Sequence, residues 1–263
     1  MLPENSPQGT RLGDGFASRF EIVPALAERT RDEVYFIRHD VYCRELGFEP
    51  TRPDCRECDQ YDRQAVHCLM RTTADTGHRL VGCARVVLTS PEDRDRPLPF
   101  ELACRNTLWR GNTIDPARLP RDRIAEVSRL AIMHEFRRRR GEEARDVSIK
   151  ASDFGSTSHP RFPFIPVGLY LAAVSMAARC GVEYIFTLTE PRLAQHFGRL
   201  GVNIAPIGGP VEHRGIRIPS VMHVPEIIQQ IRPSIQPMWQ AVTRQIDMGY
   251  RQYQDETRVG QTG

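Results

Sequence analysis

Six charged residues in four separated segments are the part of this sequence with the clearest chemical potential. They are Arg38, Asp59, Asp62, Arg85, Glu126 and Arg129. Some of them interrupt otherwise apolar stretches, as Arg85 does in the run Val-Gly-Cys-Ala-Arg. Burying an unpaired charge is costly, so charges at such positions are expected to pair or to act on a ligand. Three arginines and three carboxylates can pair, and a polar cluster of this kind indicates a reaction centre.

The segments that carry these charges are predicted to belong to one α/β fold. Val34, Ile37 and Val41 follow helical spacing, which predicts a helix over residues 27–46 that carries Arg38. Strands are predicted at residues 20–23, 65–71, 79–88, 123–133, 182–188 and 214–224, and further helices at residues 100–104, 168–180, 191–200 and from 225 to about 253. Hairpins in the first half and a β-α-β arrangement in the second predict one mixed, twisted sheet flanked by helices. We expect one domain over residues 19–254, between flexible tails at residues 1–18 and 255–263.

Composition limits the classes of protein that fit the sequence. The chain has 263 residues, of which 40% are hydrophobic and 26% are charged, so it can form a packed core. Its net charge of +3 is too small to indicate nucleic-acid binding. The seven cysteines are an odd number and no secretory signal precedes them, which indicates a cytoplasmic protein. The longest apolar stretch, from Val167 to Ala178, is too short to span a bilayer.

A cysteine-rich segment offers a competing interpretation as a zinc site. Cys55 and Cys58 are separated by two residues, with Cys43 before them and the His67-Cys68 pair after them. Four such ligands can form a closed structural site. The spacing differs from that of known zinc fingers, however, and there is no second Cys-x-x-Cys pair. We therefore predict no metal.

Four motifs in fixed order resemble those of the autoinducer synthases, which make acyl-homoserine lactones from acyl carrier protein thioesters. The motifs are Arg38-x3-Tyr42, Asp59-Gln60-Tyr61-Asp62, Gly82-x2-Arg85 and Glu126-x-Ser128-Arg129. Residues 41–49, the Asp-x-Tyr-Asp segment with His67, and residues 126–139 are also similar to a sister group, the acyltransferases associated with PEP-CTERM/exosortase systems. Members of that group are thought to be N-acyl amino acid synthases. The resemblance covers roughly residues 20–225.

The resemblance implies a GNAT-like fold and transfer of a fatty acyl group to the α-amine of an amino acid. It assigns catalysis to Glu126, Ser128 and Arg129, with Glu126 as the base that accepts the proton of the amine. It assigns substrate binding to six further residues: Arg38, Tyr42, Phe48, Asp59, Asp62 and Arg85. Phe48 stands where autoinducer synthases carry a tryptophan, so the acceptor is expected to differ from theirs. The acyl chain is expected near the apolar helix at residues 168–180.

The expected donor is acyl carrier protein, which presents an acyl-phosphopantetheine, and no bound cofactor is predicted. The basic run Arg137, Arg138, Arg139 and Arg140 follows the central strand and suits an acidic carrier protein. The phosphate-binding pattern Arg-x-x-Gly-x-Gly/Ala is not present there, which disfavours coenzyme A. Contact with a membrane is expected only through a lipidic product.

Regular strand alternation makes a geometric prediction about the last motif. Glu126 and Arg129 are three residues apart, so they should point to opposite faces unless a β-bulge changes the phase. We expect Asp59 and Asp62 to pair with Arg38 and Arg129. Glu126 has a simpler interpretation as the partner of an arginine in a structural ion pair.

Other functions stay open on the sequence alone. One is acyl-homoserine lactone synthesis from S-adenosylmethionine, which shares the donor. Another is a non-catalytic GNAT-fold module that binds lipid or carrier protein, or a zinc-stabilised interaction module. The complete charged cluster favours an enzyme.

Overall fold

The structure, a computed structural model, describes residues 7–109, 114–137, 155–156, 159–160, 163–190, 198 and 202–260. Its helices are α1 (Pro7–Ala17), α2 (Glu28–Arg38), α3 (Pro99–Cys104), α4 (His134–Arg137), α5 (Phe164–Arg179), α6 (Val224–Gln230) and α7 (Gln236–Gly260). Its strands are β1 (Phe20–Pro24), β2 (Ala65–Thr72), β3 (Leu80–Leu88), β4 (Ile124–Ile132), β5 (Gly155–Ser156), β6 (His159–Pro160), β7 (Tyr184–Thr189), β8 (Ala205–Pro206), β9 (Val211–Glu212) and β10 (Ile216–His223).

The predicted mixed sheet is present. Its strands lie in the order β1-β2-β3-β4-β7-β10-β8, and β9 pairs with β10 beside this path. The β4–β7 pair is parallel, and the other neighbouring pairs are antiparallel. Pairing of β4 with β7 covers three positions and, within the described residues, goes no further than Glu126 and Phe186. The two central strands therefore diverge beyond Glu126.

Helices cover both faces of the sheet, and strand alternation sorts the core side chains between them. On one face α2 packs on Leu69, Cys83 and Ala131. On the other face α5 packs with Met70 and Ala84, which are the sequence neighbours of residues on the first face. This two-layer arrangement follows from the period of two in strands.

The prediction of two flexible tails is corrected for the part of each tail that the structure describes. Residues 7–17 form α1, and Phe16 at its end is fully buried in the core. Residues 255–260 continue α7, whose Gln245 side chain accepts a hydrogen bond from the Ile22 N–H at 2.9 Å. α1 packs along α7, and α7 packs along the edge strand β1.

The helix predicted over residues 27–46 changes type in the middle. α2 is α-helical to Arg38, and His39–Glu45 continue as a π-helix before Gly47 ends the segment with a φ of 63°. Such π-helical turns occur preferentially at functional sites. The helix predicted at residues 191–200 lies outside the described residues except for Gly198. Across the described ranges we find no helix that combines the length and apolarity required to cross a membrane.

Candidate active site

A cavity of about 320 Å³ lies where β4 and β7 diverge. One wall is formed by residues 126–130 of β4 and the other by residues 187–190, at the end of β7. At the apolar part of the cavity lie Leu130, Tyr170, Ile204 and Met222. The cavity is thus lined by apolar side chains in one part and by charged side chains in another.

Tyr170 is the only residue of α5 that lines this cavity among the described residues. The acyl chain was expected near this helix, but other α5 side chains lie in the ordinary core, as Leu169, Ala172 and Val174 do at 0% exposure.

A β-bulge sets the orientation of Arg129. The pairing of β3 with β4 shifts by one residue between Cys83–Ala131 and Arg85–Ser128, and Arg129 has a φ of 52°. The placement of Glu126 and Arg129 on opposite faces, which was expected for a strand without a β-bulge, therefore does not hold here. Glu126, Ser128 and Arg129 all lie on the face covered by α2 and α3, since the bulge adds one residue and reverses the alternation after Ser128.

Three arginines and three carboxylates form a closed cluster on this face. Its members, the charged cluster, are Arg38, Arg85, Arg129, Glu57, Asp59 and Asp62. Arg38 donates to Glu57 at 2.5 Å and to Asp62 at 2.7 Å. Arg85 donates to Asp59 at 2.7 Å and to Asp62 at 2.9 Å, and Arg129 donates to Glu57 at 3.1 Å and to Asp59 at 3.3 Å. The cluster is neutral as a whole, with three positive and three negative groups.

The expected pairing of Asp59 and Asp62 with Arg38 and Arg129 is resolved into specific contacts. Asp62 contacts Arg38, whereas Asp59 contacts Arg129, and Arg85 bridges the two carboxylates. The N–H of Asp59 also donates to Asp62 at 2.6 Å, which fixes the loop between them.

The ion pairs keep the cluster carboxylates ionised. Burial pushes the pKa of Asp62 up, but hydrogen bonds and charges of Arg38 and Arg85 outweigh it and hold that pKa well below its usual range. The pKa values of Glu57 and Asp59 are lowered in the same way, against burial, by Arg38 and Arg85 respectively. His67 lies beside Asp62, and burial lowers its pKa to about 3, so its ring is neutral.

Glu126 stands apart from this cluster. It is 4% exposed, and one carboxylate oxygen accepts a hydrogen bond from the Phe100 N–H of α3 at 2.7 Å. Among the described residues it forms no ion pair, so its interpretation as the partner of an arginine does not hold. Burial raises the pKa of Glu126 to about 7, opposed by the Phe100 hydrogen bond and by Arg85. A carboxyl group with this pKa in a cavity can accept and release a proton near neutral pH.

The remaining predicted residues surround these groups. The Ser128 hydroxyl accepts a hydrogen bond from Arg85 Nε at 3.2 Å, and the Tyr42 hydroxyl donates to the Leu130 carbonyl at 2.9 Å. Phe48 and Tyr42 both line the cavity. Arg129 lies over the Tyr42 ring at 5.5 Å, which ties the π-helix to the bulge.

Of the four arginines in the basic run, only Arg137 lies within the described residues. Arg137 forms an ion pair with Glu45 and donates to the Ile132 carbonyl at 2.7 Å. It is therefore engaged within the fold. Arg138, Arg139 and Arg140 lie outside the described residues.

Glu57 was missed by the sequence analysis. It is 4% exposed, joins Arg38 to Arg129, and its N–H donates to the Tyr35 carbonyl at 3.1 Å. It lies between Cys55 and Cys58, in the segment with the alternative interpretation as a zinc site. All seven cysteines are free, and the described residues contain no group of three or more side chains arranged to hold a metal ion.

Comparisons with known proteins give the fold. Residues 37–145 match an acetyltransferase (GNAT) domain family. TofI, solved in a ternary complex with an inhibitor and MTA, is 21% identical over 82% of this chain and 99% of its own, with a TM-score of 0.55. BjaI, a CoA-dependent acyl-homoserine lactone synthase solved with SAM and isopentyl-CoA, is 21% identical over 86% of this chain and 89% of its own, with a TM-score of 0.51.

A third solved structure agrees with these two. MesI, a CoA-dependent acyl-homoserine lactone synthase, is 20% identical over 82% of this chain and 94% of its own, with a TM-score of 0.52. No curated protein sequence matches the chain. The predicted GNAT-like fold is confirmed by these structures, and residues 37–145 of the chain carry the match to a GNAT acetyltransferase domain.

Proposed function

We propose that this enzyme transfers a fatty acyl group from acyl carrier protein to the α-amine of an amino acid, giving an N-acyl amino acid. The observation that carries the proposal is Glu126, a buried carboxyl group without an ionic partner among the described residues. It lines the cavity between the diverging strands, and its pKa is raised to about 7 by burial. An α-amino group is largely protonated near neutral pH, so its acylation benefits from such a base.

The reaction is a direct aminolysis of a thioester. The amine nitrogen attacks the thioester carbonyl carbon, the nitrogen–carbon bond forms, and the carbon–sulfur bond breaks. Glu126 accepts the proton of the amine, directly or through water, and the departing thiolate takes up a proton. Main-chain N–H groups where β4 and β7 diverge are suited to hold the carbonyl oxygen as its negative charge develops.

The charged cluster is proposed to position the acceptor rather than to exchange protons. Its carboxylates have lowered pKa values and stay ionised near neutral pH. Arg129 and Asp59 reach the cavity wall, whereas Arg38 is fully buried behind them. The apolar wall that includes Leu130 and Tyr170 is the proposed contact of the acyl chain.

The donor is proposed to be a carrier protein, although BjaI and MesI are CoA-dependent enzymes. Carrier protein and coenzyme A present the same phosphopantetheine arm, and this arm suits the space between the diverging strands whichever of the two carries it. Arg138, Arg139 and Arg140 of the basic run, which follow the internally paired Arg137, and the missing Arg-x-x-Gly-x-Gly/Ala pattern support a carrier protein. The association with PEP-CTERM/exosortase systems stays a prediction from residues 41–49 and their companion motifs.

Mass spectrometry of lipid products tests the proposal. The purified protein is incubated with acyl carrier proteins or acyl-CoAs of several chain lengths, the twenty amino acids and S-adenosylmethionine. An N-acyl amino acid formed from the carrier protein supports the proposal. If the same product forms only from acyl-CoA, the assignment of acyl carrier protein as the donor is refuted. An acyl-homoserine lactone would instead make the chain an autoinducer synthase.

Two variants connect the product to the site. Glu126→Gln keeps the size and the hydrogen bond from Phe100 and should reduce the rate by about 10²–10⁴-fold. Glu183→Gln changes a half-exposed carboxylate that pairs with Arg123 and should leave the rate unchanged. Equal rates for Glu126→Gln and the unmodified enzyme would remove Glu126 as the base and favour a non-catalytic role for the cavity.

A further inference from the structure

A second set of charged groups lies across the cavity from the charged cluster. His213 and Arg214 in the turn between β9 and β10, and Arg217 at the start of β10, line the cavity. The His213 N–H donates to the Gly215 carbonyl at 2.9 Å, and the Gly215 N–H donates to the Glu212 carboxylate at 3.0 Å. Arg214 has a φ of 55° within this turn. The turn therefore holds Arg214 in an uncommon conformation that faces the cavity.

Glu49 joins the two sides of the cavity. The same carboxylate oxygen, Oε1, forms an ion pair with Arg214 and accepts from Arg129 Nη2 at 3.5 Å. Its backbone is anchored, since the Glu49 N–H donates to the Tyr42 carbonyl at 3.2 Å. The side chain itself is 26% exposed, as is that of Arg214. One carboxylate thus lies between an arginine of β4 and an arginine of the β9–β10 turn.

This contact differs in kind from those of the charged cluster. In the charged cluster the three positive and three negative groups balance one another, so Glu49 is not required for neutrality. Partly exposed ion pairs contribute little to stability and exchange readily for another partner. A free carboxylate can form two parallel hydrogen bonds with a guanidinium group, which makes Arg214 a suitable receptor for one.

We propose that Arg214 and Arg129 bind the free α-carboxylate of the acceptor amino acid, and that Glu49 occupies this place until the acceptor displaces it. The inference rests on the proposed function and names the group of the acceptor that the enzyme recognises. The carboxylate site and Glu126 line the same cavity, so an amino acid bound at Arg214 occupies the cavity that contains the proposed base. The site selects carboxylates over amides and esters.

Kinetics with an acid and its amide test the proposal. The amino acid identified by product analysis is compared with its carboxamide in the unmodified enzyme and in Arg214→Gln. We expect the amide to be used at least about tenfold less well by the unmodified enzyme, because a charge-assisted pair is lost. Arg214→Gln should raise KM for the acid by a similar factor and leave kcat nearly unchanged. The kinetic constants for the amide should also stay nearly unchanged, so the variant should lose the preference for the acid.

Two further variants sharpen the assignment. Glu49→Gln removes the competing carboxylate and should lower KM for the acid several-fold. Arg217→Gln is the matched control, since Arg217 lines the same cavity from the start of β10 but pairs with Glu190 at 2.7 Å. A loss of acid preference at Arg217 instead of Arg214, or equal use of acid and amide by the unmodified enzyme, would overturn the proposal.

A binding measurement separates this proposal from the proposed function. N-lauroylglycine and N-lauroylglycinamide are titrated into the free protein and into Arg214→Gln by calorimetry, with melting temperatures confirming that each variant is folded. Tighter binding of the acid that disappears in Arg214→Gln supports the site even when no acyl transfer is detected, in which case only the proposed function fails. No difference between the two probes, including no binding of either, refutes the site.

Discussion

Replacing Glu126 with glutamine is expected to stabilise the protein at alkaline pH while removing most of its activity. The carboxyl pKa is about 7 in the folded protein, raised by burial from the ordinary value of 4.5 for a glutamate. Below pH 4.5 the group is protonated in both the folded and the unfolded state and costs nothing. As the pH rises toward 7, the unfolded chain releases the proton first, so the folded state loses stability, and above pH 7 the full penalty remains.

The size of this penalty follows from the difference in pKa. Each pKa unit corresponds to about 1.36 kcal/mol, so the folded protein loses about 3 kcal/mol at pH 8 and under about 1 kcal/mol at pH 5. Glutamine carries no charge and retains an oxygen that can accept from the Phe100 N–H. Glu126→Gln should therefore raise the free energy of unfolding by about 3 kcal/mol at pH 8 and by much less at pH 5.

Denaturant unfolding at pH 5 and pH 8 measures this difference directly. Other groups titrate in both proteins, so their contributions cancel when the variant is compared with the unmodified chain. Asp62→Asn is the matched control, because the pKa of Asp62 is lowered and its ion pairs are complete at both pH values. Asp62→Asn should destabilise the protein to the same extent at pH 5 and pH 8.

The opposite outcome would refute the assignment of Glu126 as an unpaired base. If Glu126 were a structural partner of an arginine, Glu126→Gln would destabilise the protein at pH 8 by about 3–5 kcal/mol, as breaking a buried pair does. The rate profile provides a second check. In the unmodified enzyme kcat/KM should rise with pH through an apparent pKa near 7, and Glu126→Gln should lose that inflection.

Three other predictions concern the cluster and the donor. Arg38→Met should destabilise the protein by about 3–5 kcal/mol in denaturant unfolding because two buried carboxylates each lose one of their arginine partners, whereas Arg44→Met at an exposed helical pair should change it by under about 1 kcal/mol. Ser128→Ala removes one hydrogen bond to Arg85 and should lower kcat by less than about tenfold, with a larger loss indicating a direct role. Arg138→Glu with Arg139→Glu should raise KM for acyl carrier protein and weaken its dependence on salt, and an unchanged KM would refute docking on this run.

Much of the fold could be predicted because hydrophobic periodicity decides it. The apolar run Cys68, Leu69 and Met70 belongs to the strand predicted at residues 65–71 and is buried on both faces of β2, and the buried spacing of Val34 and Ile37 identifies α2. The tails could not be predicted in this way. Residues 7–17 are rich in glycine and polar groups, and their helix depends on packing against α7, which lies more than 200 residues later in the chain.

The site was predictable as a set of residue types but not as a geometry. The four motifs contain the arginines and both aspartates of the charged cluster, yet they omit Glu57, which lies in an irregular loop without periodicity. A bulge was considered for this strand, but its presence at Arg129 could not be predicted, since a left-handed conformation at an arginine leaves no mark on the sequence. Both features depend on contacts between distant segments.

The charge balance of the cluster supports the proposed role of Glu126 as a base. Without Glu57 the cluster would hold three arginines and two aspartates, and its excess positive charge would lower the pKa of the nearest buried carboxyl group. With Glu57 the cluster is neutral, so burial dominates at Glu126 and its pKa rises instead. The bulge turns Arg129 toward Glu57 and Asp59. The same six charges that hold the loop over the cavity thereby leave the seventh free to exchange a proton.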